Sequence, residues 1–81
     1  MEPQLRRAEA LQIIEDEELS RYVWFDKPGN RADHVAIFEG DGGWFVENTD
    51  ERAVVGAVRE FDNESDALEL FIRRLRLSKR L

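Results

Sequence analysis

The dipeptide Asp41-Gly42 stands between two short runs rich in β-branched and aromatic residues, 33–39 and 44–48. Aspartate and glycine reach the positive φ that the primed two-residue turns demand, so the two runs are expected to pair as an antiparallel hairpin. A two-residue loop also sets the register, with Glu39 opposite Trp44 and Ile37 opposite Val46. Every other element of the chain has to be arranged around this hairpin.

Two further strands flank it. One is expected over 21–26 and is followed by the turn Lys27-Pro28-Gly29-Asn30, where proline and glycine set the dihedrals. The other is expected over 53–61, after the turn Thr49-Asp50-Glu51-Arg52. Leu5, Ala8, Leu11 and Ile14 recur at a spacing of three, which predicts a helix over 3–19 with Pro3 in its first turn. Ala67, Leu68, Phe71, Ile72 and Leu75 form a wider stripe and predict a helix over 63–77, capped by Asp62 or Asn63 and followed by a basic tail over 78–81. The expectation is one α+β domain spanning 1–81: helix, four-stranded antiparallel meander over 21–61, and a C-terminal helix packed on the sheet. The run Glu15-Asp16-Glu17-Glu18 falls at the end of the first helix, where negative charge opposes the helix dipole. Such a helix either ends early or gains something else from the acids.

Alternation sorts the strands into two faces. Val23, Phe25, Val35, Ile37, Trp44 and Val46 make the more aliphatic face, the expected core. Tyr22, Trp24, His34, Ala36, Phe38, Phe45 and Glu47 make the other. If both helices cover the first face, the second is an open aromatic surface suited to binding. If one helix covers each face, no such patch remains. Val54 and Val55 leave the register of the fourth strand open.

The 81 residues include no Cys, which removes disulfides, thiolate zinc sites and thiol nucleophiles. The longest apolar runs, Tyr22-Val23-Trp24-Phe25 and Val35-Ala36-Ile37-Phe38, are far too short to span a bilayer. No signal-peptide stretch is present, so a cytoplasmic location without membrane contact is expected. His34 is the only imidazole, and Ser20, Ser65 and Ser78 sit in no motif that would make a triad with it. Asp41, Asp50 and Glu51 are oxygen donors but lack calcium-loop spacing, and Gly40, Gly42 and Gly43 do not form a phosphate loop. Neither an enzyme nor a cofactor is therefore expected. Net charge is −6, with 18 acidic and 12 basic side chains. Five of the basic ones lie within 73–80, so residues 1–72 carry −11. An acidic body repels nucleic acid and favours a basic protein partner.

The stretch Arg59-Glu60-Phe61-Asp62-Asn63-Glu64-Ser65-Asp66-Ala67-Leu68 follows a hairpin that ends in a turn with Asp50-Glu51. In this it resembles the small immunity proteins of bacterial polymorphic-toxin and contact-dependent-inhibition systems, over roughly residues 33–76. The resemblance implies a short, acidic, Cys-poor α+β domain that binds a cognate toxin, frequently a nuclease, and blocks it. It transfers no catalytic or contact residue. The expected function is stoichiometric inhibition of a basic toxin. Glu15, Asp16, Glu17, Glu18, Asp41, Asp50 and Glu51 would steer the partner, and Tyr22, Trp24, Phe38 and Phe45 would anchor it. The alternative is an acidic nucleic-acid mimic from a phage or mobile element that inhibits a host nuclease or DNA-binding protein.

Overall fold

The computed structural model describes residues 5–26 and 29–80. Its elements are α1 (Arg7–Asp16), β1 (Tyr22–Trp24), β2 (Val35–Gly40), β3 (Gly43–Thr49), β4 (Val55–Phe61) and α2 (Glu64–Arg80). The sheet order is β1-β2-β3-β4. Expected features at Pro3, at Lys27-Pro28 and at Leu81 lie outside the described residues.

The central hairpin has the expected register: Glu39 pairs with Trp44, Ile37 with Val46 and Gly40 with Gly43. Its turn is of a different type. Gly42 alone of the loop takes positive φ, at 79°, whereas a type I′ turn needs it at both positions and a type II′ turn at the first. Gly40 leaves room for an aromatic ring. A Cβ there would come within 2.5 Å of Phe45 Cε2, because the Phe45 ring lies across the glycine. β4 adds antiparallel to β3, with Trp44 opposite Phe61 and Val46 opposite Arg59, and an irregularity between Glu47 and Thr49 shifts the register at its start.

β1 corrects the expected meander, because it pairs with β2 in parallel: Tyr22 with Val35, Val23 with Ala36 and Trp24 with Ile37. The sheet is mixed, not purely antiparallel. Arg21 and Phe25 both have positive φ (59° and 53°), which confines the strand to three residues instead of the expected 21–26. The chain then returns to the starting end of the sheet, as a parallel connection must. Thr49 fastens that return. Its buried hydroxyl donates to the Arg31 carbonyl at 2.6 Å and accepts the His34 N–H at 2.9 Å, and the Asp33 N–H donates to the Asp50 carbonyl.

Paired residues share a face, so the parallel register reverses the expected faces of β1. Tyr22 and Trp24 join the core face with Val35 and Ile37, and Val23 goes to the opposite face with Ala36. The core itself joins Ala10 and Ile14 of α1, Leu19, Val35, Ile37, Val46, and Ala67, Leu68, Phe71, Ile72 and Leu75 of α2. Both helices therefore lie on the same face of the sheet. The shortest extent of the Cα trace is 16 Å, room for two layers of secondary structure and not for three.

Each helix ends for a local reason. α1 stops at Asp16, short of the expected 19, in a Schellman arrangement. Glu18 takes φ 54°, its N–H donates to the Glu15 carbonyl, and the Leu19 N–H donates to the Ile14 carbonyl. Ile14 and Leu19 are both buried, which supplies the apolar contact that accompanies this helix end. α2 begins at the Asn63 cap, whose Oδ1 accepts the Asp66 N–H at 2.8 Å. It continues to Arg80, so positions 78–80 of the expected tail are helical.

Candidate functional site

The sheet surface opposite the helices is built by alternation alone. Across it, Val23, Ala36, Glu47 and Val58 form one row, and Phe38, Phe45 and Glu60 form the next. Phe38 and Phe45 stack with centroids 5.4 Å apart and planes 16° from parallel. Both rings are half-buried. Glu60 stands beside Phe45 across the β3–β4 pair, and Glu47 stands between Ala36 and Val58. Among the described residues the ion pairs are Arg7–Glu39, Arg7–Glu64 and Arg76–Glu17. Glu47 and Glu60 take part in none of them. An aromatic pair edged by uncompensated carboxylates offers a flat apolar contact with negative charge at its margin.

The other expected anchors lie elsewhere. Tyr22 and Trp24 meet Phe71 of α2 edge-on and tilted, with centroid distances of 6.2 and 5.8 Å. They are part of the packing between the layers, because the parallel register turned them inward. Phe25 packs there too, edge-on to Trp24 at 4.9 Å, with the Arg7 guanidinium 3.6 Å above its ring.

The acidic residues fall into separate groups. Asp41 is exposed at the tip of the β2–β3 hairpin. Asp50 and Glu51 lie beyond the far end of β3, about 20 Å away by strand rise. Asp50 acts locally. Its Oδ1 accepts the N–H groups of Arg52 and Val54 at 2.8 and 2.9 Å and so shapes the β3–β4 turn. Glu15 and Asp16 are exposed at the end of α1, with Asp16 accepting from Gln12. Glu17 is engaged with α2. Its two carboxylate oxygens accept from Arg76 Nε and Nη2 at 2.8 and 2.5 Å, and its carbonyl accepts from Lys79. The Arg76 hydrogen bond comes first in holding the Glu17 carboxyl below the ordinary carboxylate range, against a smaller opposing effect of desolvation.

Sequence reasoning missed this contact between the acidic end of α1 and the basic end of α2. Its signal was present in two oppositely charged runs at the C-terminal ends of two amphipathic helices. The helices lie parallel: Arg7 reaches Glu64 at their starts, and Glu17 reaches Arg76 near their ends. Arg76 thus meets a carboxylate and Lys79 a backbone carbonyl, both close to two negative helix ends. Glu47 was placed on this face but not counted among the acids that steer a partner, and Glu60 was missed. The position of Glu60 follows from the β3–β4 register, which the twin valines left open.

His34 and Ser65 each bond to nearby backbone, and Ser20 and Ser78 line a separate cavity with Arg21, Leu75 and Lys79. His34 Nδ1 is 2.7 Å from the Ala32 carbonyl, and Ser65 Oγ accepts the Leu5 N–H at 2.9 Å. Among the described residues no three His, Asp or Glu side chains converge as a metal site would require. No helix among them is long and apolar enough to cross a membrane. Comparisons with protein-family models, curated proteins and solved structures find no match to this chain.

Proposed function

We propose that this chain is a stoichiometric protein inhibitor of the immunity or antitoxin kind, which binds a basic toxin, a nuclease in the first place, and occludes it. One observation carries the reading: the helix-free sheet face presents the Phe38–Phe45 stack beside Glu47 and Glu60, carboxylates with no ion-pair partner among the described residues. The aromatic pair supplies area that loses water on contact, and the carboxylates select Arg and Lys on the partner. Glu15, Asp16, Glu18, Asp41 and Glu51 are exposed and add to the long-range field of a chain with net charge −6. Glu17 and Asp50 contribute less to contact, since their oxygens already hold Arg76 and the β3–β4 turn.

The test is co-expression with the toxin encoded beside its gene. The wild-type chain should abolish toxicity and bind one to one, with an association rate that falls steeply as salt rises. Phe45→Ala should weaken binding about 30-fold, the equivalent of a hot spot of ~2 kcal/mol. Glu60→Lys should slow association. Full protection by a Phe38→Ala, Phe45→Ala double variant would remove this face from the function. Absence of any interaction with the neighbouring gene product would overturn the reading as a whole.

A further inference from the structure

Cross-strand pairing puts Phe38, Phe45, Glu47 and Glu60 on the sheet face without helices. The single basic residue of the strands, Arg59, stands opposite the buried Val46 and so belongs to the helix side. A pair of glycines lets ring and carboxylate meet on the open face. The edge of the Phe45 ring rests on Gly40. The Glu60 side chain reaches over Gly43, with Oε2 3.7 Å from where a Cβ would stand. Gly40 and Gly43 are paired directly, so the ring and the carboxylate stand side by side over one cross-strand pair. Glu47 lies two residues from Phe45 on the same face of β3, about 7 Å away by strand rise.

Elsewhere the chain displays what such a combination takes. The Arg7 guanidinium lies 3.6 Å from the centroid of the Phe25 ring. Its Nε and Nη2 donate to the two carboxylate oxygens of Glu64 at 2.8 and 3.1 Å, and Glu39 stands 3.9 Å from Nη2. One guanidinium thus uses its flat face on an aromatic ring and its rim on carboxylates. A lysine ammonium does not combine the two, because it is a compact, strongly hydrated charge without a planar face. The open face supplies the same partners, a ring and two carboxylates, and no strand residue supplies a cation to them. Nucleic acid would be repelled by the carboxylates, and a purely apolar partner would strip them of water without compensation.

We propose that the Phe38–Phe45 face is an arginine site: a guanidinium of the basic partner lies on the exposed part of the Phe45 ring and donates from its rim to Glu60, with Glu47 as the second carboxylate. The site rests on the inhibitor reading and deepens it, since arginine, and not basic charge in general, is what the face selects.

Nuclear magnetic resonance of the full chain with labelled Phe rings tests it. The probes are three blocked peptides of one sequence that carry arginine, lysine or neutral citrulline at the same positions. The arginine peptide should move the Phe38 and Phe45 signals and bind about fivefold more tightly than the lysine peptide. The citrulline peptide should leave both rings unmoved. Glu60→Gln, at an exposed position, should remove most of the preference for arginine. Phe45→Leu should do the same, with circular dichroism unchanged. Equal affinity for the arginine and lysine peptides overturns the proposal, and so does a preference that survives both substitutions. No toxin enters this titration, so the two readings fail separately. A chain that neutralises its toxin without preferring arginine keeps the inhibitor reading and loses this site.

Discussion

Glu17 joins the two helices through a paired guanidinium, and the consequence is a pH dependence with a definite sign. Its carboxyl is held below the ordinary value of 4.5, first by the Arg76 hydrogen bond and then by the charges of Arg76 and Lys79. A group whose folded pKa is depressed contributes stability that is fully present above its unfolded value. That stability disappears as pH falls through the lower, folded value. Thermal melting of the wild type should therefore decline from about pH 4.5 downward more steeply than that of Glu17→Gln, and the two curves should converge at the acid end. The Arg76 guanidinium is raised by the same bond and stays charged throughout, so it adds no slope of its own in this range. Added salt should narrow the gap at neutral pH, because the pair is solvent-exposed. Parallel melting curves for wild type and Glu17→Gln across the acid range would show that the contact does not couple the helices.

β1 is the element whose placement changes the reading of the surface. Trp24 follows Ile37 onto the helix side and packs against Phe71, so its truncation is a packing loss. Trp24→Ala should cost stability toward the lower end of ~3–5 kcal/mol, since the ring is half-buried, and should leave the affinity for a partner on the open face unchanged. Urea denaturation and a binding titration on the same preparation separate the two effects, and a large affinity loss at unaltered stability would put Trp24 in the interface after all. The element also marks where the sequence was readable. Asp41-Gly42 and the alternation beside it set the β2–β3 register through local chemistry, so Phe38 and Phe45 could be placed side by side. The Asn63 cap and the stripe from Ala67 to Leu75 were equally local. β1 was different. Tyr22-Val23-Trp24-Phe25 is apolar on both faces, and alternation gives a period without a strand direction. The direction depends on how the chain returns from Phe25 to Val35, which long-range bonds from Thr49 and Asp50 determine. The joining of the acidic and basic helix ends was hidden for the same reason, as it requires knowing that α1 and α2 run parallel.

At the scale of the whole molecule, a two-layer domain of this size has a single interior, and that interior has a centre. Phe71 is fully buried, and its ring meets Tyr22 and Trp24 of β1 from within α2. It shares the core with Ile37 and Val46 of the hairpin and with Ala10 and Ile14 of α1. The central hairpin and both helices thus share one core with this side chain. Small domains have total stabilities of about 5–15 kcal/mol, and Phe→Ala in a core removes ~3–5 kcal/mol. The loss at Phe71 is then a large share of the whole and acts on both layers together. Phe71→Ala should lower the urea midpoint sharply and leave a substantial unfolded population at neutral pH. Fluorescence of Trp24 and Trp44, on two different strands, should follow a single transition with the far-ultraviolet signal. Phe71→Leu keeps most of the volume and should recover most of the loss. Separate transitions for the two tryptophan positions, resolved with single Trp→Phe variants, would show that β1 is a detachable edge and that the open face is held by the β2–β3–β4 unit and α2 alone.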